Sequence, residues 1–115
     1  MLKSFALNNR YIGEGHPVFI VAELSANHLQ NFDNAVKLIK EAKKAGADAV
    51  KLQTYTADTI TIDCDNKYFQ ITQGTIWDGT TLHKLYQEAY TPWEWQPKLK
   101  EIAEEIGLGS VNYFV

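Results

Sequence analysis

The chain has 115 residues, 45% of them hydrophobic and 22% charged, with a formal net charge of -3. This balance suits a soluble globular protein of one domain at most, with a modest core, and excludes a disordered or collagen-like chain. The 14 acidic and 11 basic residues form no basic cluster, which argues against nucleic acid as a partner, and no run approaches the roughly 18 apolar residues of a membrane span.

The N-terminal stretch "MLKSFALNNRYIGEGHP" lacks a long apolar segment followed by a small-residue cleavage site, so a cytoplasmic protein is expected. Next, "PVFIVAEL" (Pro17 to Leu24) is a nearly continuous apolar run opened by proline. It predicts a strand covered on both faces, as in a parallel sheet. Over Asn31 to Ala45, apolar Ala35, Leu38, Ile39 and Ala42 recur at helical spacing, with Asn31 as N-cap and Gly46 as C-cap. "ADAVKLQTY" (Ala47 to Tyr55) reads as a second strand, and strand, helix and strand make a βαβ unit with parallel strands.

Residues 56–80 mix β-branched residues with Asp, Asn and Gly. They predict an elaborated loop with a short hairpin, ordered by Tyr68, Phe69 and Trp77. "TTLHKLYQEAY" reads as a helix with Leu82, Leu85 and Ala89 on one side. "TPWE" (Thr91 to Glu94) matches a capping box with Pro92 at the first helical position. Pro97 then places a capped turn before a longer helix carrying Leu99, Ile102, Ala103 and Ile106, which Gly107 ends. The closing "GSVNYFV" starts a third strand.

Residues two apart on a strand share a face. Val21, Glu23 and Ser25 therefore line one side of the first strand, and Lys51 and Gln53 one side of the second. The carboxyl ends of such strands are where α/β sheets and βα barrels bind ligands. An ammonium in "AVKLQT" needs a counter-charge or a polar cavity. Two readings stay open: a Lys51–Glu23 pair that only closes the end of the sheet, or a Lys51 that meets an anionic ligand while Glu23 handles protons. His16 and His83 lack metal-ligand spacing and read as structural or solvent-facing. Trp93 and Trp95 read as packing residues, and Cys64, the only cysteine, as an ordinary thiol. Nucleotide-binding and serine-hydrolase motifs are absent.

"FIVAELSANH" followed by "LIKEAKKAGADAVKLQTYTADTIT" resembles the N-terminal part of the sialic acid synthase family, whose members condense phosphoenolpyruvate with an aldose. "TIWDGTTLHKLYQEAYTPWEW" is most similar to the branch whose acceptor is a 2,4-diacetamido-2,4,6-trideoxy-altrose; N-acetylneuraminate or legionaminate synthesis is the alternative within the family. The resemblance implies an α/β fold, the first two βα units and the start of a third of a (β/α)8 barrel, spanning residues 1–115. It further implies a C-terminal antifreeze-like domain beyond this chain, and a homodimer. Carried over by position, Glu23 is a candidate base near the sugar and the attacking water. Lys51 contacts the phosphoenolpyruvate anion, Gln53 hydrogen-bonds the acceptor, and Asn27 and His28 match the family's "NH" at the rim of the substrate site. A divalent metal, manganese or a relative, activates the aldehyde in the family, and its two histidine ligands are expected beyond Val115. For that reason the isolated chain is expected to be inactive. Two departures stand out: no glycine follows the "NH" by two residues, and "GSVNYFV" does not match a phosphate-contacting S-x-P-F stretch. A reading of a different class is a non-catalytic fragment that associates with a full-length homologue.

Overall fold

Two short strands, β1 (Ser4–Leu7) and β2 (Arg10–Gly13), open the chain as an antiparallel hairpin in which Leu7 faces Arg10. This is a computed structural model, and it describes residues 3–7 and 9–114, with 110–114 as backbone only. The hairpin was not among the predicted elements. Its signal is a polar Asn pair between two short β-prone segments; Asn9 takes φ 63, which asparagine tolerates better than most residues. Gly13 ends the hairpin at φ 140, where an added Cβ would sit 2.2 Å from the Lys3 carbonyl oxygen. The hairpin is fastened by Arg10, which pairs with the Asp48 carboxylate and lies 5.5 Å from the centre of the Phe19 ring. The other Asp48 oxygen accepts from the Ile20 N–H at 2.8 Å.

The main sheet is parallel, in the order β3 (Val21–Leu24), β4 (Ala49–Thr54), β5 (Gly109–Phe114). Glu23 lies opposite Lys51, and Lys51 opposite Val111. The βαβ unit is therefore present, with α1 (Phe32–Lys44) as its crossover. Asn31 caps α1 by accepting from the Asn34 N–H at 3.1 Å. At the other end the C-cap is Ala45, and Gly46 follows at φ 95, the left-handed position that closes many helices and favours glycine. Its N–H donates to Lys43 O and the next N–H to Ala42 O.

Helices α1 and α4 (Gln96–Glu105) cover one face of this sheet. Ala35 and Ile39 from α1, Val50 and Leu52 from β4, Leu99 and Ala103 from α4, with Ala47 and Leu108, form the core. Gln96 adds a buried polar link, donating to Thr54 Oγ1 at 2.7 Å.

Three expectations need correction. The first parallel strand is only Val21–Leu24, and it is not covered on both faces: Val18 is 79% and Val21 42% exposed. Among the described residues β3 pairs only with β4, so this apolar run borders an open sheet edge. Second, the hairpin expected within 56–80 is a one-turn helix, α2 (Ala57–Ile60), followed by a loop held by a single antiparallel bridge, Gln70 with Thr81. Third, Thr91 caps no helix. Pro92 precedes a 3-10 turn, Trp93–Trp95, and the fully buried Thr91 hydroxyl bonds His28 instead. That turn leads into α4 with Pro97 in its first turn, as expected. Trp93 is exposed, against the packing expectation, whereas Trp95 packs on Phe32 and His28.

The helix expected after residue 80 is α3 (Leu82–Glu88), capped by Thr81. Its buried residue is His83, whose Nε2 lies 2.8 Å from Asp58 Oδ1, tying α3 to α2. The strand predicted from residue 109 is β5; Val115, and the side chains compared with the S-x-P-F stretch, lie outside the described residues.

Candidate functional site

Because side chains alternate along a strand, β4 sends Val50 and Leu52 into the core and Lys51 and Gln53 to the opposite face. The parallel register sets Glu23 beside Lys51 on that same face. Lys51 Nζ lies 3.3 Å and Gln53 Nε2 3.2 Å from the same atom, Glu23 Oε1. The Gln53 hydrogen bond, then the Lys51 hydrogen bond and charge, hold the Glu23 carboxyl below its ordinary value. Glu23 is thus an ionised acceptor at neutral pH, poised to take a proton rather than supply one. Glu23 is 46% and Lys51 31% exposed, so a ligand reaches both.

Beyond Leu24 the chain turns sharply. The Ala26 N–H donates back to Leu24 O at 2.7 Å, and Ala26, Leu29 and Gln30 all adopt positive φ, near 55°. Each such non-glycine residue costs on the order of 1 kcal/mol, and clustered strain of this kind is a mark of functional loops. The missing glycine after "NH" therefore leaves a left-handed turn in place, made by Leu29 and Gln30.

This loop separates the two residues of the "NH" pair. Asn27 is exposed, while His28 is buried, its Nε2 3.1 Å from Thr91 Oγ1 and its ring 5.2 Å from that of Trp95. Burial lowers the His28 pKa, so the ring is neutral at pH 7. Its Nδ1 has no hydrogen-bond partner among the described residues.

Sequence reasoning missed the residues that anchor this loop. Gln30 Nε2 donates to Glu88 O at 2.9 Å and to Tyr90 O, Tyr55 Oη donates to Ala89 O, and Thr91 meets His28. The segment 88–91 is thus gripped at every residue by side chains from the first two βα loops. These contacts span 34 to 63 residues, and no local pattern announces them. Between the β3–α1 loop, this segment and Ile76–Trp77 lies a cleft of about 620 Å³, with Ser25 and Asn27 on one wall.

The other histidines have partners of their own: His16 stacks on Tyr11 at 5.5 Å, and His83 pairs with Asp58. Among the described residues no group of three or more His, Cys, Asp or Glu side chains converges as a metal site would. The donor set for the divalent metal that the resemblance implies is therefore not met by these residues. No helix among the described residues is long and apolar enough to cross a membrane.

A model of the NeuB family matches residues 38–112. The chain is 50% identical over 91 residues to pseudaminic acid synthase of Campylobacter jejuni, covering 79% of this chain and 26% of that one. It is 48% identical over 93 residues to pseudaminic acid synthase of Helicobacter pylori, covering 81% and 27%. Its α/β fold is similar to the crystal structure of N-acetylneuraminic acid synthetase from Leptospira borgpetersenii, with a TM-score of 0.74 at 26% identity over 96% of this chain and 34% of that one. The chain spans about a quarter of the length of the curated relatives it matches.

Proposed function

From the premise that this chain belongs to the NeuB family, we propose that it is part of an enzyme condensing phosphoenolpyruvate with a 2,4-diacetamido-2,4,6-trideoxy-altrose to give pseudaminic acid. The observation that carries this reading is the convergence of Lys51 and Gln53 on one oxygen of Glu23 near the carboxyl end of a parallel sheet. One cation, one ionised carboxylate and one amide, reachable from solvent, suit an anionic substrate and a polyhydroxylated one together.

In the reaction, C3 of phosphoenolpyruvate bonds to the aldehyde carbon of the open-chain sugar. Water then adds at C2, and phosphate leaves with cleavage of its C–O bond. Lys51 holds the anion of phosphoenolpyruvate by charge-assisted hydrogen bonds. Sharing Lys51 with the incoming anion loosens one of the two bonds on Glu23 Oε1, which makes the carboxylate a better base for the attacking water. Gln53 keeps Glu23 oriented and turns its remaining hydrogen-bonding capacity to the acceptor, while Asn27 lines the rim and His28 fixes the loop from beneath. The divalent metal of this reading finds no donor set among the described residues, and none of these steps runs through it.

The same reading extends to architecture. The strands β3, β4 and β5 are the first three of a (β/α)8 barrel, in a cytoplasmic homodimer. The sequential parallel order, the helices on one face and the apolar edge at Val18, Ile20 and Val21 support it. A second reading, N-acetylneuraminate synthesis, is favoured by the likeness to the Leptospira synthetase.

The experiment uses the complete protein with phosphoenolpyruvate, a divalent metal and either the altro-configured diacetamido sugar or N-acetylmannosamine. Phosphate release with the altro sugar, and little with the other, supports the first reading; the reverse preference supports the second, and no release with either sinks both. The 115 residues alone release no phosphate on this reading.

A further inference from the structure

His83 is the buried residue of α3, its side chain 7% exposed, and no step of the condensation uses it. Both of its ring nitrogens face carboxylates. Nε2 lies 2.8 Å from Asp58 Oδ1 on α2, and Nδ1 lies 3.8 Å from Asp63 Oδ1 in the loop that follows. The first distance is a full hydrogen bond, and the second is within ion-pair reach but too long for one. The two acids are 88% and 78% exposed, so a buried ring is held from outside by two solvated groups. Among the described residues the charged groups Asp65, Lys67, Lys84 and Glu88 of the same loop and helix make no pair with the ring.

A neutral imidazole carries one N–H and one lone pair, whereas the cation carries two N–H groups. In the neutral ring the Nε2 proton serves the short bond to Asp58. The Nδ1 lone pair is then turned on the Asp63 carboxylate, acceptor against acceptor. A proton on Nδ1 replaces that repulsion with a charge-assisted attraction, and the second carboxylate supplies counter-charge that a buried cation requires. The ring therefore has two states, one with a single partner and one with two.

The position of the ring gives this difference a consequence. The loop between α2 and α3 is tied to the start of α3 at its far end, by the Phe69 carbonyl accepting from the Leu82 N–H at 2.8 Å and by the Gln70–Thr81 bridge. At its near end, among the described residues, the pair of Asp63 with His83 is the one polar link from residues 62–64 to another part of the chain, and Ile62 is exposed. The same loop carries Ile76 and Trp77 to the cleft beside Ser25 and Asn27.

We propose that His83 is a protonation-driven latch. As an imidazolium it fastens the near end of this loop to α3 through Asp63, and loss of the Nδ1 proton to solvent releases Asp63 while Asp58 stays bound. The latch is closed at low pH and opens as pH rises through the range in which histidine side chains exchange their charge. It does not rest on the condensation reading.

The test is hydrogen exchange of the complete protein and of its Asp63→Ala and His83→Gln variants between about pH 5.5 and 8.5. Rates are corrected for the intrinsic pH dependence of amide exchange and read by mass spectrometry on peptides covering residues 61–68. In the unaltered protein these amides should exchange about fivefold faster at the upper pH, the scale of one partly exposed ion pair, while peptides of α1 stay unchanged. Asp63→Ala should exchange at the faster rate throughout, and so should His83→Gln, which keeps a donor for Asp58 but never takes a charge. A pH-dependent step that survives in Asp63→Ala overturns the proposal, as does protection in the unaltered protein that does not change with pH. An equal change in the α1 peptides also overturns it, because it marks a general loss of stability. If His83→Gln does not fold, Asp63→Ala decides alone, since that side chain is mostly exposed and its removal empties no core position.

Discussion

Along β4, Val50 and Leu52 enter a dry layer formed with Ile39, Leu99 and Ala103, while Lys51 and Gln53, one residue away, stand on a half-open face with Glu23. The same strand therefore serves two regions with opposite physics. On the helix side the contacts are apolar but for the buried Gln96–Thr54 hydrogen bond, and stability follows the area removed from water. On the other side the groups are polar, solvent-accessible and held by geometry, and they contribute little to folding because exposed ion pairs are worth at most about 1 kcal/mol. Strand periodicity lets chemistry and stability occupy neighbouring residues with little interference.

Four experiments break or sharpen that contrast. The largest effect is expected at Lys51. In the complete protein, Lys51→Met should lower turnover about 100-fold or more, the scale of losing one charge-stabilising donor, while the denaturation midpoint barely moves. A large loss of stability with retained turnover would reverse the roles of the two faces. The mirror experiment is Leu99→Ala, which empties a fully buried position. It should cost about 2–5 kcal/mol in chemical denaturation and leave both Michaelis constants unchanged below the melting range.

The smallest effect is expected at the junction of the two regions. Thr91→Val removes the partner of His28 Nε2 and leaves a buried ring without hydrogen bonds, at a cost of about 1–3 kcal/mol. Acid titration sharpens this further. Because burial lowers the folded pKa of His28 from its ordinary 6.5, the unfolded chain takes up the proton first. The stabilising contribution is therefore complete above pH 6.5 and declines as pH falls below it toward the depressed folded value. A His28→Phe variant should flatten that decline, and an unchanged acid profile would show that His28 is not the group responsible.

Legibility in the sequence tracked distance along the chain. The α1 helix, its Asn31 cap and its glycine close could be read because each signal and its partner lie within a few residues. The facing of Glu23 and Lys51 was also legible, since a βαβ crossover imposes parallel strands and leaves only their register to be set. Thr91 misled because "TPWE" has the spacing of a capping box, yet its hydroxyl found a buried imidazole 63 residues away. A buried donor left unpaired costs more than a missing cap at a solvated turn, so the tertiary contact prevailed.

What the sequence by itself determined is the set of βα elements, their parallel order and the family to which the chain belongs, because periodicity, caps and motif wording are local properties of the chain. Only the tertiary structure decided that His28 turns inward while Asn27 stays at the surface, that Gln30 and Tyr55 grip residues 88–90, and that Trp77 comes to lie across a cleft from Asn27. These outcomes depend on which buried polar groups find partners once the layers have packed. That competition is settled between segments distant in sequence, and no single window of residues contains it.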